Sequence, residues 1–129
     1  MTFEITGLYA AILGVFFIFF RTLVVIERAK TGISMHYGDN LVLARKIRIF
    51  GNFIEVVPHA LILMAIAEAM GGIAQMLHVI GALLVVSRVL LPLGLNPDNG
   101  KTPARIAAGI MATLSMAISI GFIFWQNFG

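Results

Sequence analysis

The sequence predicts an all-α integral membrane protein, a single four-helix bundle domain over residues 1–129. Three observations predict it. Of the residues, 60% are hydrophobic and only 12% charged, about half the charged share of an ordinary soluble domain. Mean hydropathy is +0.99. Four apolar segments also stand in the chain, each near the ~20 residues that cross a bilayer, with turn-forming residues between them.

The first helix is expected over about residues 5–28. Met1 is followed by Thr2-Phe3-Glu4, which is no basic n-region, and no small-residue cleavage site follows. The first apolar segment is therefore expected to stay as a membrane helix. The next stretch holds Gly32, Gly38, Asp39 and Asn40, which are turn and cap residues, and Asp39 or Asn40 can cap the second helix. That helix is expected over about 40–69. Gly71-Gly72 makes a tight link to a third helix over about 73–94. Leu95-Asn96-Pro97-Asp98-Asn99-Gly100 is a turn cluster, after which Thr102 suits the N-cap and Pro103 the first helical position. The fourth helix is expected over about 103–127. Short links make sequential neighbours antiparallel.

Basic residues set the expected orientation. Arg28, Lys30, Arg45, Lys46 and Arg48 surround the first connection, and Arg88, Lys101 and Arg105 surround the third. The second connection and the termini have none. The positive-inside rule places connections one and three in the cytoplasm and both termini outside.

The second helix carries the most informative stretch, Arg48 to Pro58. At roughly 100° per residue, Arg48, Asn52 and Glu55 share one face of an otherwise apolar span. Charge in hydrocarbon is costly, so this stripe is expected to face other protein and to mark a site. Arg28, Arg88 and Arg105 come to the same membrane level from the other three helices. Such a cluster suits a small zwitterionic, mostly anionic ligand. Arginines clamp carboxylates, Glu55 accepts from an ammonium, and Asn52 does either. Glu55 also reads as a structural partner of Arg48 or Arg88. Arg21 stands about 10 Å of helix inward from Arg28 and has two readings: paired across helices, with Glu55 among the candidates, or snorkelling. His59 reads as a packing histidine, and His78 and Glu68 as headgroup-facing residues on the far side. The small residues Ala107, Ala108, Ala112 and Ser115 on the fourth helix permit close helix packing.

Several functions are not indicated. The chain has no cysteine, so thiolate metal sites, disulfides and a cysteine nucleophile are excluded. No second histidine lies at a helical spacing from His59, so no metal site is expected. No basic run stands beside exposed aromatics, so nucleic acid is not an expected partner. Four spans without an inverted repeat or a broken helix pair do not make a transporter.

The pattern Arg48-x-x-x-Asn52-x-x-Glu55-x-x-Pro58, behind a basic first loop in a four-span chain, resembles the MAPEG superfamily, the membrane-associated proteins in eicosanoid and glutathione metabolism. Tyr37-Gly38-Asp39 and Arg48-Ile49-x-Gly51-Asn52 look like its short bacterial branch. In layout the likeness covers nearly the whole chain. It implies a homotrimer in a bacterial inner membrane, with glutathione bound between neighbouring protomers near the cytoplasmic face. By motif matching, Arg48, Asn52 and Glu55 would bind glutathione. Arg88 looks like the family's helix-three arginine, and Arg28 and Arg105 match by position at helix ends. The sequence departs from the pattern after Arg88. Glutathione-using members carry aromatic or histidine residues three to seven places further on, where this chain has only Leu91, Pro92, Leu93, Gly94 and Leu95.

The resemblance implies a glutathione transferase or peroxidase acting on hydrophobic electrophiles from the bilayer, with glutathione as co-substrate. An arginine near the sulfur would favour the thiolate, the reactive form. Arg105 is assigned that catalytic role, with Arg88 second. The alternative is a non-catalytic member of the same fold that binds lipid or serves as a scaffold.

Overall fold

Backbone polar groups cannot stay unpaired in hydrocarbon, so each apolar segment closes its hydrogen bonds within itself as a helix. A computed structural model describes residues 2–94 and 102–129. It contains α1 (Glu4–Thr31), α2 (Leu41–Ala69), α3 (Ala74–Gly94) and α4 (Pro103–Phe128). All four are long and apolar enough to cross a membrane. The turn cluster 95–100 and Lys101 lie outside the described residues. The helices run up and down, so the end of α1, the start of α2, the end of α3 and the start of α4 share one end of the bundle. We call it the basic end.

Local chemistry sets the helix ends. α1 continues three residues beyond the apolar segment because Thr31 and Lys30 still tolerate helix, and Gly32 then stops it. Gly32 adopts φ 74°, and its N–H donates to the Arg28 carbonyl, a left-handed cap that glycine supplies without a Cβ clash. Asn40 caps α2 through its side chain, which accepts from the Leu43 N–H at 3.0 Å. Thr102 caps α4 by accepting from the Arg105 N–H at 3.3 Å, with Pro103 next in the chain. The same hydroxyl donates to the Gly94 carbonyl, tying the end of α3 to the start of α4. Gly94 is required there: an added Cβ would lie 2.8 Å from Ala104 Cβ and collide with the Arg105 backbone nitrogen.

α1 lacks a local N-cap. Phe3 occupies that position and has no side-chain acceptor. Glu68, at the far end of α2, supplies one from across the bundle. Its carboxylate accepts from the Thr6 N–H at 2.8 Å and from the Ile5 N–H at 3.1 Å, where the partial positive charge of the helix N-terminus favours an anion. Nearby, the Tyr9 hydroxyl is 2.9 Å from His78 Nδ1. Glu68 and His78, expected at the headgroups, thus join α1 to α2 and α3.

Two apolar clusters fill the interior. Leu13, Phe53, Val57, Ala60 and Leu84 form one, and Met64, Ala67, Leu77 and Ile80 the other. α1 lies on α2 through Phe17 and Phe20 against Phe50 and Phe53, with ring centroids 5.2–6.2 Å apart. The small residues of α4 serve packing within the chain. Ala108, Ala112 and Ser115 are buried, and the Ser115 hydroxyl donates to the Ile80 carbonyl of α3 at 2.9 Å.

Candidate functional site

At the basic end the polar residues divide into an inner and an outer group. The inner group is built on Arg88 of α3, only 2% exposed. Its Nη1 donates to Asn52 Oδ1 on α2 at 2.6 Å. Its Nε donates to the Ser87 hydroxyl at 2.9 Å, and that hydroxyl donates to the Leu84 carbonyl at 2.6 Å. A buried guanidinium needs such partners, because an unsatisfied charged donor in a low-dielectric interior is costly. Beside this network lies a cavity of about 200 Å³, lined by Asn52, Arg88, Leu91, Arg105, Thr113 and neighbouring apolar side chains. Arg105, Gly109 and Thr113 also line an open groove of about 490 Å³ along α4. The cavity therefore continues onto the outer surface of α4.

The outer group is the pair Arg48–Glu55. Their side chains meet at 2.8 Å along the outer face of α2, with 47% and 60% of their surfaces exposed. The helical wheel places Arg48, Asn52 and Glu55 on one face, but the rotation of α2 turns only Asn52 inward. Glu55 pairs with Arg48, while Arg88 takes Asn52. The stripe expected to face other protein does so in this protomer only at Asn52.

Arg28 stands apart from both groups. Its Nη1 donates to the carbonyls of Ile33 and His36, at 3.2 and 2.7 Å, and braces the first connection. Tyr37 is exposed in that connection. Tyr9 is at the opposite end of the bundle, bonded to His78.

Four further polar residues shape this end, of which sequence reasoning had placed only Arg45 among the basic residues gathered there. Ser87 holds Arg88. Thr113 adds a hydroxyl to the cavity wall. Glu27 pairs with Lys46 at 2.9 Å, strapping α1 to α2. Arg45 donates to the Pro92 carbonyl in the last turn of α3, where helix carbonyls attract cations. The adjacent serine and arginine, Ser87-Arg88, were the one available signal. The pairings of Arg45 and Glu27 depend on helix rotation and leave no mark in the sequence.

The site thus joins a buried arginine on α3 to an asparagine on α2, beside a cavity that an arginine of α4 also lines. A family model described as MAPEG family matches residues 6–125 of the chain. The chain belongs to the MAPEG family. The match runs from the first turns of α1 to the last of α4, so all four helices and both polar groups lie inside it. For a MAPEG chain with four apolar helices, a membrane-embedded, glutathione-related function is supported in general terms. Comparison with curated proteins and with solved structures gave no match.

Proposed function

We propose that the protein binds glutathione at the basic end of the bundle and uses it on hydrophobic electrophiles, as a glutathione transferase or peroxidase. The observation that carries this reading is the buried Arg88–Asn52 pair beside a cavity that Arg105 also lines. A guanidinium withdrawn from lipid and held at a cavity wall suits a carboxylate ligand. Arg105 lies in the first turn of α4, where free backbone N–H groups also favour an anion. In this reading Arg105 stabilises the thiolate, while Arg88, Asn52, Arg48 and Glu55 hold the peptide. Arg28 shapes the first connection at the site's rim. The groove along α4 offers an apolar path from the bilayer to the sulfur.

The cavity in one protomer is smaller than the roughly 300–1,000 Å³ of ordinary ligand pockets. The exposed Arg48–Glu55 pair also needs cover at membrane depth. Both points support a homotrimer with the ligand between copies. We place connections one and three in the cytoplasm of a bacterial cell, with both termini outside, on the basic bias of those connections.

One observation favours the alternative, a non-catalytic lipid-binding or scaffold role. Among the described residues no aromatic or histidine side chain lines the cavity, and Leu91 stands one turn after Arg88. Purified protein in mild detergent, given glutathione and a generic aryl halide, separates the two. Slow conjugation above the uncatalysed rate is expected. Saturable glutathione binding without any conjugation would leave the binding role in place of the enzyme.

A further inference from the structure

The basic end holds a second hollow that the proposed chemistry does not use. It has a volume of about 120 Å³ and is lined by Phe19, Phe20 and Leu23 of α1, Arg45 and Lys46 of α2 and Pro92 of α3. Among the described residues, none lines both this hollow and the ligand cavity. Leu91 lines the cavity and Pro92 the hollow, so the last turn of α3 stands between the two spaces.

The polarity of the hollow runs in the order of a bilayer leaflet. Counted along each helix from the basic end, Pro92, Arg45 and Lys46 lie ~3, ~6 and ~8 Å deep, and Leu23, Phe20 and Phe19 lie ~12, ~17 and ~18 Å deep. The Lys46–Glu27 contact at 2.9 Å agrees with this register, since Glu27 stands ~6 Å deep on the same count. Cations are thus at headgroup level, with aliphatic and aromatic side chains below them at the level of acyl chains. The hollow opens at the surface of an apolar span. Phe19 is 58% exposed and points about 100° around α1 from Phe20, which packs inward on Phe53.

Both cations are held at the wall. Arg45 donates to the Pro92 carbonyl, a neutral acceptor. Lys46 meets the Glu27 carboxylate, and Lys30, one turn further along α1, also attracts it. Of these four charged side chains, three are cations and one is an anion. A phosphate offers oxygens to both an arginine and a lysine through charge-assisted hydrogen bonds. Basic pockets between membrane helices at this level suit lipid headgroups.

We propose that this hollow binds one anionic glycerophospholipid of the leaflet at the basic end. Its phosphate sits on Arg45 and Lys46, and one acyl chain runs inward along Leu23 and Phe19. The hollow takes the phosphate and the first methylenes, and the rest of the chain stays in the bilayer against α1. The inference is independent of the glutathione reading, because neither Arg45 nor Lys46 lines the ligand cavity.

The chain has one tryptophan, Trp125, at the other end of the bundle. In a Trp125→Phe background, Phe19→Trp places a fluorescent reporter in the wall of the hollow. The protein is reconstituted in vesicles of phosphatidylcholine with increasing shares of phosphatidylglycerol, with bromine on the acyl chains of one lipid or the other. Brominated phosphatidylglycerol is expected to quench the reporter well beyond its share of the bilayer. Arg45→Gln with Lys46→Gln should lower that preference by about 25-fold, at about fivefold for each cation removed. Glu27→Gln should raise it by about fivefold, because Lys46 loses a competing carboxylate; a Glu27–Lys46 pair that only straps the helices would give no gain. Quenching in proportion to bilayer composition, or an unchanged preference in the double variant, would overturn the proposal. Glycerol 3-phosphate, a headgroup without chains, should not relieve the quenching. Relief would assign the two cations to a soluble anion and also count against a lipid. If the reporter chains fail to reconstitute, native mass measurement of the parent protein and Glu27→Gln in mild detergent reads the same preference. Retention of phosphatidylglycerol over phosphatidylcholine is expected there, and equal retention of the two contradicts it.

Discussion

Arg105→Ala is expected to lower glutathione-dependent turnover by about 10²–10³-fold, the usual effect of losing one well-placed donor to a developing anion. The sign follows from charge. A guanidinium beside the sulfur favours the thiolate, so its removal raises the apparent pKa of the bound thiol and reduces the reactive fraction at neutral pH. The effect should be large here because few other groups near the cavity can take over. Among the described residues its wall has no phenol or imidazole, and Leu91 can neither donate to a thiolate nor carry a proton. Binding should survive in large part, since Arg88 and Asn52 are untouched. A pH–rate profile, with the ultraviolet absorbance of the thiolate, reads both quantities. Arg105→Lys should recover part of the loss, because it keeps the charge but not the planar fork. If Arg105→Ala changes neither pKa nor rate, Arg105 is not the activating group and the non-catalytic role moves ahead.

The second large effect is expected at Asn52. Its side-chain oxygen is the α2 partner of the buried Arg88 guanidinium. Asn52→Leu removes that acceptor and leaves the charge in place. Hydrogen bonds to charged groups are worth about 1.5–3 kcal/mol, so a comparable loss of stability is expected in detergent unfolding. Arg88→Met alone removes the charge and should cost less. The double variant, Asn52→Leu with Arg88→Met, should be more stable than Asn52→Leu alone, because removing both partners strands nothing. It should also fail to bind glutathione. A double variant as unstable as Asn52→Leu would show that Arg88 is satisfied without Asn52.

Much of the architecture was legible because the membrane restricts the choices. Four apolar segments of spanning length admit one arrangement of four helices, and the caps at Asn40 and Thr102 follow from residues that compete for backbone N–H groups at helix starts. The level at which Arg88, Asn52 and Arg105 gather was also legible, since it depends on position along each helix. Rotation about the helix axis was not. Arg48, Asn52 and Glu55 span a narrow arc, and the packing of α2 against α3 and α4 decides which of them turns inward. That packing is set by the fit of many apolar side chains, and one sequence does not display it. The cap on α1 was half visible. Thr2-Phe3-Glu4 leaves no acceptor at Phe3, which signals that the acceptor must come from elsewhere, but only the fold shows that Glu68 provides it. The small residues of α4 illustrate the same limit. Their pattern announces a close contact without naming the helix that makes it.

Equilibrium dialysis of labelled glutathione against the purified protein, beside the folded Asn52→Leu, Arg88→Met double variant, is the direct test of a ligand site at the basic end. Saturable binding to the parent protein and its loss in the double variant are predicted. Absence of saturable binding to the parent, or equal binding to both proteins, would contradict the assignment.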